Sequence, residues 1–425
     1  MQSSGLQLNE WLARLETYSA QEIDLGLERV QVLLQRLNLS LPKTIFHVAG
    51  TNGKGSSVAM LEALLLTTGS KVGCYASPHL QRYNERIRVD GTEASDAQII
   101  SAFESIEALR ESVPLTYFEF GTLAALAVFV AAEVDIAVLE VGLGGRLDAV
   151  NAVEPTASLI TNISLDHCDW LCDNVEDIAR EKAGVMRAQK PVVFAAAQMP
   201  QAIAETARSL QANLLAVNRD FRWTAAAAGW SWEGVSHSVQ NLARPQLAGD
   251  IQLQNAAGVL TLLESAGFES LLDTDIINRA FASVLLAGRM QLIAGRWLLD
   301  VAHNPAAASA LAAALGTMPQ GRAAVTVIGM LDDKDVAAVV APLNALTDHW
   351  IAVTPDSPRA IPASELGRRI SIATDRPCWI ADSFEQALER AEELAAANEL
   401  LLVTGSFYTV GAALVILAAP GQENG

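Results

Sequence analysis

The stretch Val48-Ala49-Gly50-Thr51-Asn52-Gly53-Lys54-Gly55-Ser56-Ser57 decides how this chain is read. Before it, Thr44-Ile45-Phe46-His47-Val48 is short and apolar, as a buried strand is. After it, Ser57 to Leu66 carries apolar residues at helical spacing. A glycine-rich turn between strand and helix aims backbone N–H groups and a helix N-terminus at a phosphate chain. Lys54 has the reach to meet outer phosphates, and a serine hydroxyl can hold magnesium. The spacing is not that of the usual phosphate loop, because Gly55 interposes before the serine. The position between strand and helix nevertheless predicts a nucleotide site.

The chain has 425 residues, more than one ordinary core accommodates, so two or three domains are expected. Half of it is apolar (51%), as in a well-packed globular protein. The formal charge of −19 is spread without acidic or basic blocks. Such a surface repels phosphate backbones, which argues against nucleic acid and anionic membranes as partners. An anionic substrate then requires a local basic pocket. Met1 to Leu8 lacks a basic start followed by an apolar run, so no secretory leader is expected. The apolar stretch Thr122 to Gly145 is interrupted by Glu133, Asp135 and Glu140, which excludes a membrane span. Cys74, Cys168, Cys172 and Cys378 show no framework spacing, and the sequence is read as cytoplasmic.

Along the chain, the first part reads as α/β with additions. Amphipathic helices are expected at Asn9–Tyr18 and Gly26–Asn38. Strands are expected at Lys71–Tyr75, Val134–Val141, Thr156–Ile163 and Pro191–Ala195, and a buried helix at Phe120–Glu133. Phe221 to His237, with Trp223, Trp230 and Trp232, is expected to be irregular or antiparallel β. From Trp297 onward strands and helices alternate regularly, which predicts a mostly parallel sheet covered on both faces. Gly288 to Gly295 fits neither pattern. The chain is therefore divided into an N-terminal domain (1–287), a linker (288–296) and a C-terminal domain (297–425).

Four clusters carry chemistry. Glu140 ends a buried strand and precedes Val141-Gly142-Leu143-Gly144-Gly145-Arg146-Leu147-Asp148; a carboxylate there, beside a phosphate loop, is placed to hold a metal. The alternative is a simple pairing with Arg146. Thr161-Asn162 and Asp166-His167 follow another strand, where open α/β sheets bind ligands. Cys168 and Cys172 are treated as incidental, because no second cluster completes a zinc site. In Arg180-Glu181-Lys182-Ala183-Gly184 the cations can balance phosphate or simply face solvent. In Asp300-Val301-Ala302-His303-Asn304-Pro305, Asn304 suits a helix cap with Pro305 at the first helical position. Ser406 repeats that design, and Arg289 can reach phosphates.

Together these motifs resemble the folylpolyglutamate synthase family of the Mur ligase superfamily over nearly the whole chain. The resemblance also rests on Asp24–Val30, Ser77-Pro78-His79-Leu80, Leu115–Gly121 and Gly329-Met330-Leu331-Asp332-Asp333-Lys334-Asp335. It implies a P-loop ATPase domain with a mostly parallel sheet and a smaller, Rossmann-like α/β domain that handles glutamate. The implied reaction is ATP-dependent amide formation between a pteroate or folate carboxylate and the amine of L-glutamate, with 7,8-dihydropteroate and reduced folates as substrates. By motif match, Thr51, Asn52, Gly53, Lys54, Gly55, Ser56, Asn255, Arg289 and Asp300 hold ATP. Ser77, Glu140, His167 and a carbamylated Lys182 match magnesium ligands, two ions being implied together with a monovalent cation. Lys54, Glu140, His167 and Lys182 are the implied catalytic set. Leu25, Gly26, Leu27, Glu28, Thr116, Tyr117, Phe118, Glu119, Leu147, Asp148 and Ala149 match the pterin-substrate loops, and Asp300, His303 and Ser406 match glutamate positions. A monomer is implied. Ala287 and Met290 replace the family's usual proline and phenylalanine around Gly288-Arg289, and Val150 replaces threonine; none removes a charged group. Alternatives are folylpolyglutamate synthase activity alone, another Mur-type amino-acid ligase, or a nucleotide switch without ligase chemistry.

Overall fold

The computed structural model describes residues 5–18, 24–166, 174–226 and 228–418. It resolves into two compact units. One comprises Met1–Ile163, Asn174–Gln246 and Leu253–Val284; the other comprises Ser164–Asp173, Leu247–Gln252 and Leu285–Gly425.

The first unit is built on an 8-stranded sheet ordered β4-β3-β2-β5-β1-β6-β7-β8. Its strands are Thr44–Ala49 (β1), Val72–Tyr75 (β2), Ile87–Val89 (β3), Thr92–Glu93 (β4), Ile136–Glu140 (β5), Ala157–Ile160 (β6), Pro191–Phe194 (β7) and Asn213–Ala216 (β8). From β2 to β8 all pairings are parallel; β3 and β4 add an antiparallel hairpin at one edge. The inner strands are mostly apolar because helices cover both faces. Register places Val48 beside Glu140 and Ala49 beside Ile160. The carboxyl ends of β5, β1 and β6 therefore lie side by side. β1 connects outward past β5 to β2, while β5 connects across β1 to β6, which opens the crevice where such sheets bind ligands.

The helix Tyr117–Ala131 is apolar nearly all round, and it is correspondingly buried. Phe120 packs edge-on against Phe103 (centroids 5.4 Å apart), and Trp11 of the helix Leu8–Leu15 closes over both. Of the tryptophan-rich segment's two expected forms, the antiparallel one is found: Arg222–Ala226 (β9), Gly229–Glu233 (β10) and Ser238–Leu242 (β11) form a 3-stranded sheet. Glu264, near the end of the helix Asp250–Ser265, accepts N–H bonds from Val235, Ser236 and His237, each at 2.8 Å. One buried carboxylate thus pins the turn between β10 and β11. Glu264→Ala leaves those three donors without their acceptor and is expected to cost about 3 kcal/mol of stability, read by urea denaturation. An unchanged midpoint would show that water replaces the carboxylate.

The second unit contains a 6-stranded sheet ordered β12-β13-β17-β14-β15-β16. Its strands are Gln291–Ile293, Trp297–Leu299, Ala323–Ile328, Thr347–Ala352, Cys378–Ile380 and Leu401–Thr404, β12 to β17 in that chain order. All neighbours from β13 to β16 are parallel. One expectation is corrected here. The segment Gly288 to Gly295 is not patternless: β12 pairs antiparallel with β13, Gln291 opposite Leu299. Ala294 and Gly295 both take positive φ (49° and 68°), the backbone a tight hairpin demands. No helix among the described residues is long and apolar enough to cross a membrane.

Candidate active site

The loop 50–53 leaves β1 and enters the helix Lys54–Leu66. Two glycines are structurally required. Gly50 has φ 143°, and a Cβ there would overlap the Thr161 hydroxyl; Gly53 has φ 85°, and its Cβ would lie 2.6 Å from Asn255 Oδ1. Gly53 caps the helix without a side-chain hydrogen bond, leaving the first turn open to an anion. The end of β6 braces the loop from behind. Thr51 N donates to the Asn162 carbonyl (3.0 Å), Asn52 N to Asn162 Oδ1 (2.9 Å), and Thr161 Oγ1 to the Asn52 carbonyl (2.6 Å). The Thr161-Asn162 pair noted in the sequence is thus a support for the loop.

Two lysines converge on one carbonyl. Lys54 Nζ donates to Gly50 O (3.1 Å) and Thr51 O (3.2 Å), and Lys182 Nζ donates to Gly50 O (3.0 Å). Lys182 is buried, as are Thr51, Ser56 and Glu140, while Asn52 and Gly55 are half-buried. Glu140 Oε2 accepts from the Ser77 backbone N–H (3.3 Å), which joins two expected metal residues at adjoining strand ends. These donors are hard oxygens, suited to magnesium, and the glycine cradle with a paired cation suits a polyphosphate. His167, Cys168 and Cys172 lie outside the described residues. Among the described residues no group of three or more His, Cys, Asp or Glu is gathered as a metal site.

The loop after Glu140 interlocks with the helix Val175–Ala183. Arg146 pairs with Glu181 (2.8 Å), rather than with Glu140, and Gly145 and Gly184 admit the close approach of the two backbones. Asp148 is buried and accepts from Leu143 N and Val150 N, both at 2.9 Å. Burial pushes its carboxyl up to about 6, against the pull of those backbone donors and of Lys54. Because the folded pKa exceeds the ordinary 3.8, the ionised side chain opposes folding once pH rises through this window. Asp148→Asn is therefore expected to gain stability relative to the parent between about pH 4 and pH 6, by about 3 kcal/mol at the upper end. Parallel melting curves across that range check it; a constant difference between the two proteins would refute the coupling.

The expected substrate loops adjoin one another. Thr116 and Glu119 form a reciprocal cap: Thr116 N donates to Glu119 Oε2 (2.8 Å) and Glu119 N to Thr116 Oγ1 (3.2 Å). Glu119 also receives Arg29 (Nε to Oε1, 3.0 Å), and Arg29 pairs with Asp24 (2.8 Å), tying the segment Leu25, Gly26, Leu27 and Glu28 to Tyr117 and Phe118. Sequence reading missed Arg29 as this clasp, although its basic side chain beside Glu28 was visible. Phe118 lies over Gly142, where a Cβ would meet the ring, and 5.8 Å from Tyr75. Leu147 is half-buried and Ala149 buried beside Asp148.

In the second unit, Asp300 follows β13. It accepts from Met290 N (3.0 Å) and Ala302 N (2.9 Å); burial raises its carboxyl and nearby Arg289 opposes the rise. Arg289 stacks over Phe407 at 4.9 Å. His303 Nδ1 faces the Val301 carbonyl (2.8 Å), Asn304 Oδ1 caps the helix Pro305–Thr317 through Ala307 N, and Ser406 caps Phe407–Leu417 through Thr409 N. Since β13 adjoins β17, Asp300, His303 and Ser406 come from neighbouring strand ends.

Residues 48–263 match the Mur ligase middle domain, and residues 288–407 match the Mur ligase glutamate ligase domain. The dihydrofolate synthase/folylpolyglutamate synthase of Escherichia coli (strain K12) is 39% identical over 415 residues, 97% of this chain and 96% of that protein. The structure of E. coli FolC in complex with DHPP and ADP superposes with a TM-score of 0.93 at 38% identity, covering 98% of this chain and 99% of the other. A bifunctional folylpolyglutamate synthase/dihydrofolate synthase with Mn, AMPPNP and L-glutamate bound gives 0.89 at 39% identity, covering 98% and 99%. With both lobes and their strand-end motifs accounted for, the chain belongs to the dihydrofolate synthase/folylpolyglutamate synthase family of Mur ligases.

Proposed function

We propose that this chain is an ATP-dependent ligase that joins L-glutamate to 7,8-dihydropteroate and to reduced folates, the latter at the γ-carboxylate. The observation that carries the reading is the braced loop after β1, with Lys54 and Lys182 on one carbonyl and Glu140 at the adjoining strand end. The pteroate or folate carboxylate attacks the γ-phosphorus of ATP and expels ADP, giving an acyl phosphate. The glutamate amine then attacks the acyl carbon, loses a proton and expels phosphate.

Lys54 and the open first turn of its helix bind and orient the triphosphate, and Thr51, Asn52, Gly53, Gly55, Ser56, Asn255, Arg289 and Asp300 make up the nucleotide-binding set. Ser77, Glu140, His167 and Lys182 hold magnesium, which neutralises charge on the transferring phosphoryl group. As a carbamate, Lys182 would add an anionic oxygen ligand to that set in place of its ammonium. Two magnesium ions and a monovalent cation complete the site. Residues 25–28, 116–119 and 147–149 receive the pterin end, and Asp300, His303 and Ser406 orient glutamate. Most of the ATP- and folate-binding residues thus fall in 1–287 and the glutamate residues in 297–425, while the joining segment 288–296 carries β12 of the second sheet. The chain works as a cytoplasmic monomer without nucleic acid or membrane.

ADP release measured with glutamate plus either dihydropteroate or tetrahydrofolate tests this directly. Turnover that depends on both acceptor and glutamate is expected, with masses one glutamyl residue higher. ATP consumption indifferent to both would assign the chain to another class.

A further inference from the structure

Asp166, Lys334, Asn304 and His303 belong to the second unit, and their contacts are not explained by the reaction as proposed. Asp166 is buried and Lys334 half-buried, and their side chains are only 6% and 7% exposed. Lys334 Nζ donates to Asp166 Oδ1 (2.7 Å) and pairs with Asp333 (2.9 Å). Asn304 Nδ2 donates to Asp166 Oδ2 (2.8 Å), and His303 Nε2 stands 3.6 Å from the same oxygen. A carboxylate taken out of water survives only when its charge and lone pairs are matched, and here each oxygen has its own partner.

The geometry fixes the two residues that follow β13. Asn304 is held at both ends of its amide, with Oδ1 on the Ala307 N–H and Nδ2 on Asp166. The His303 ring is held on one side by the Val301 carbonyl at Nδ1 and meets Phe407 at 6.0 Å. Only Nε2 is left to settle its orientation, and it faces the Asp166 carboxylate. Lys334, which comes from the loop after β14, fixes that carboxylate in turn.

We propose that Asp166 and Lys334 are positioning residues for glutamate: the ion pair sets the His303-Asn304 turn, and through it the affinity for the amino acid. The proposal rests on the reading of His303 as a glutamate residue. Neither side chain is asked to touch ATP or the folate.

The test is steady-state kinetics on Lys334→Met, Asp166→Asn, the double variant and Lys334→Arg, varying glutamate, ATP and folate separately. Each single variant is expected to raise KM for glutamate about tenfold, leaving KM for ATP within about twofold. The double variant should be no worse than either single one, since both remove one pair. Lys334→Arg, which keeps the pair, should recover most of the glutamate affinity. Asp166→Asn preserves shape and the Asn304 contact, so it carries the test if Lys334→Met does not fold. Unchanged glutamate KM, additive losses, or equal rises for glutamate and ATP would each overturn the proposal. A parent protein whose ADP release ignores glutamate would instead overturn the glutamate reading, and His303→Ala separates the two by losing glutamate affinity with the Asp166–Lys334 pair intact.

Discussion

Lys54→Ala is expected to lower kcat/KM for ATP-dependent ligation by at least about a thousandfold, a loss of about 4 kcal/mol of transition-state stabilisation. The reasoning is electrostatic. During phosphoryl transfer negative charge moves onto oxygens at the loop, and Lys54 is the side chain at the helix start that can follow it. Its ammonium now rests on Gly50 O and Thr51 O, carbonyls of the loop itself, so it is already poised above the cradle. The helix it opens is anchored elsewhere, by buried Val58, Leu61, Leu64 and Leu65, and the fold should survive. Circular dichroism should therefore match the parent while product formation disappears. Near-normal ligation by this variant would remove the loop from the mechanism.

Lys182→Ala should be nearly as severe, again about a thousandfold. Lys182 is buried, and its ammonium shares the Gly50 carbonyl with Lys54. The proposed carbamylation would make Lys182 a metal ligand: a bond forms between Nζ and the carbon of carbon dioxide, two protons leave the ammonium, and a cation becomes an anion. Activity should accordingly fall in buffer stripped of carbon dioxide and return with bicarbonate. A short carboxylic acid should partly rescue Lys182→Ala but not Lys182→Met, whose side chain fills the space. Full activity in Lys182→Ala would exclude the lysine from metal binding, and bicarbonate independence of the parent would exclude the carbamate.

The parts of this molecule that were legible early are those governed by near neighbours. A glycine turn between an apolar strand and an apolar helix specifies its own backbone, and it is found in that form at 50–66. The helix 117–131, apolar but for Glu119 and Thr122 near its start, announces its burial in the sequence. Even His47, an ionisable residue in the expected strand, follows the strand into the core, where burial pushes its imidazole down to about 3 and leaves it neutral. Where the local pattern was mute the reading failed: the segment 288–295 matches neither period, yet it forms β12 and a hairpin because β13 is present to pair with it.

Residue spacing was enough to predict the α/β class and the strand–glycine loop–helix unit, because backbone geometry and helix or strand periodicity depend on residues only a few positions apart; the family came from the resemblance of the motifs. Folding alone chose which charges meet. Arg29 finds Glu119 across 90 positions, Lys182 finds Gly50 across 132, and Lys334 finds Asp166 across 168. Such partners are selected by desolvation and by strand order in the completed sheets, and a buried charge accepts whichever counter-group the packed chain brings within about 3 Å.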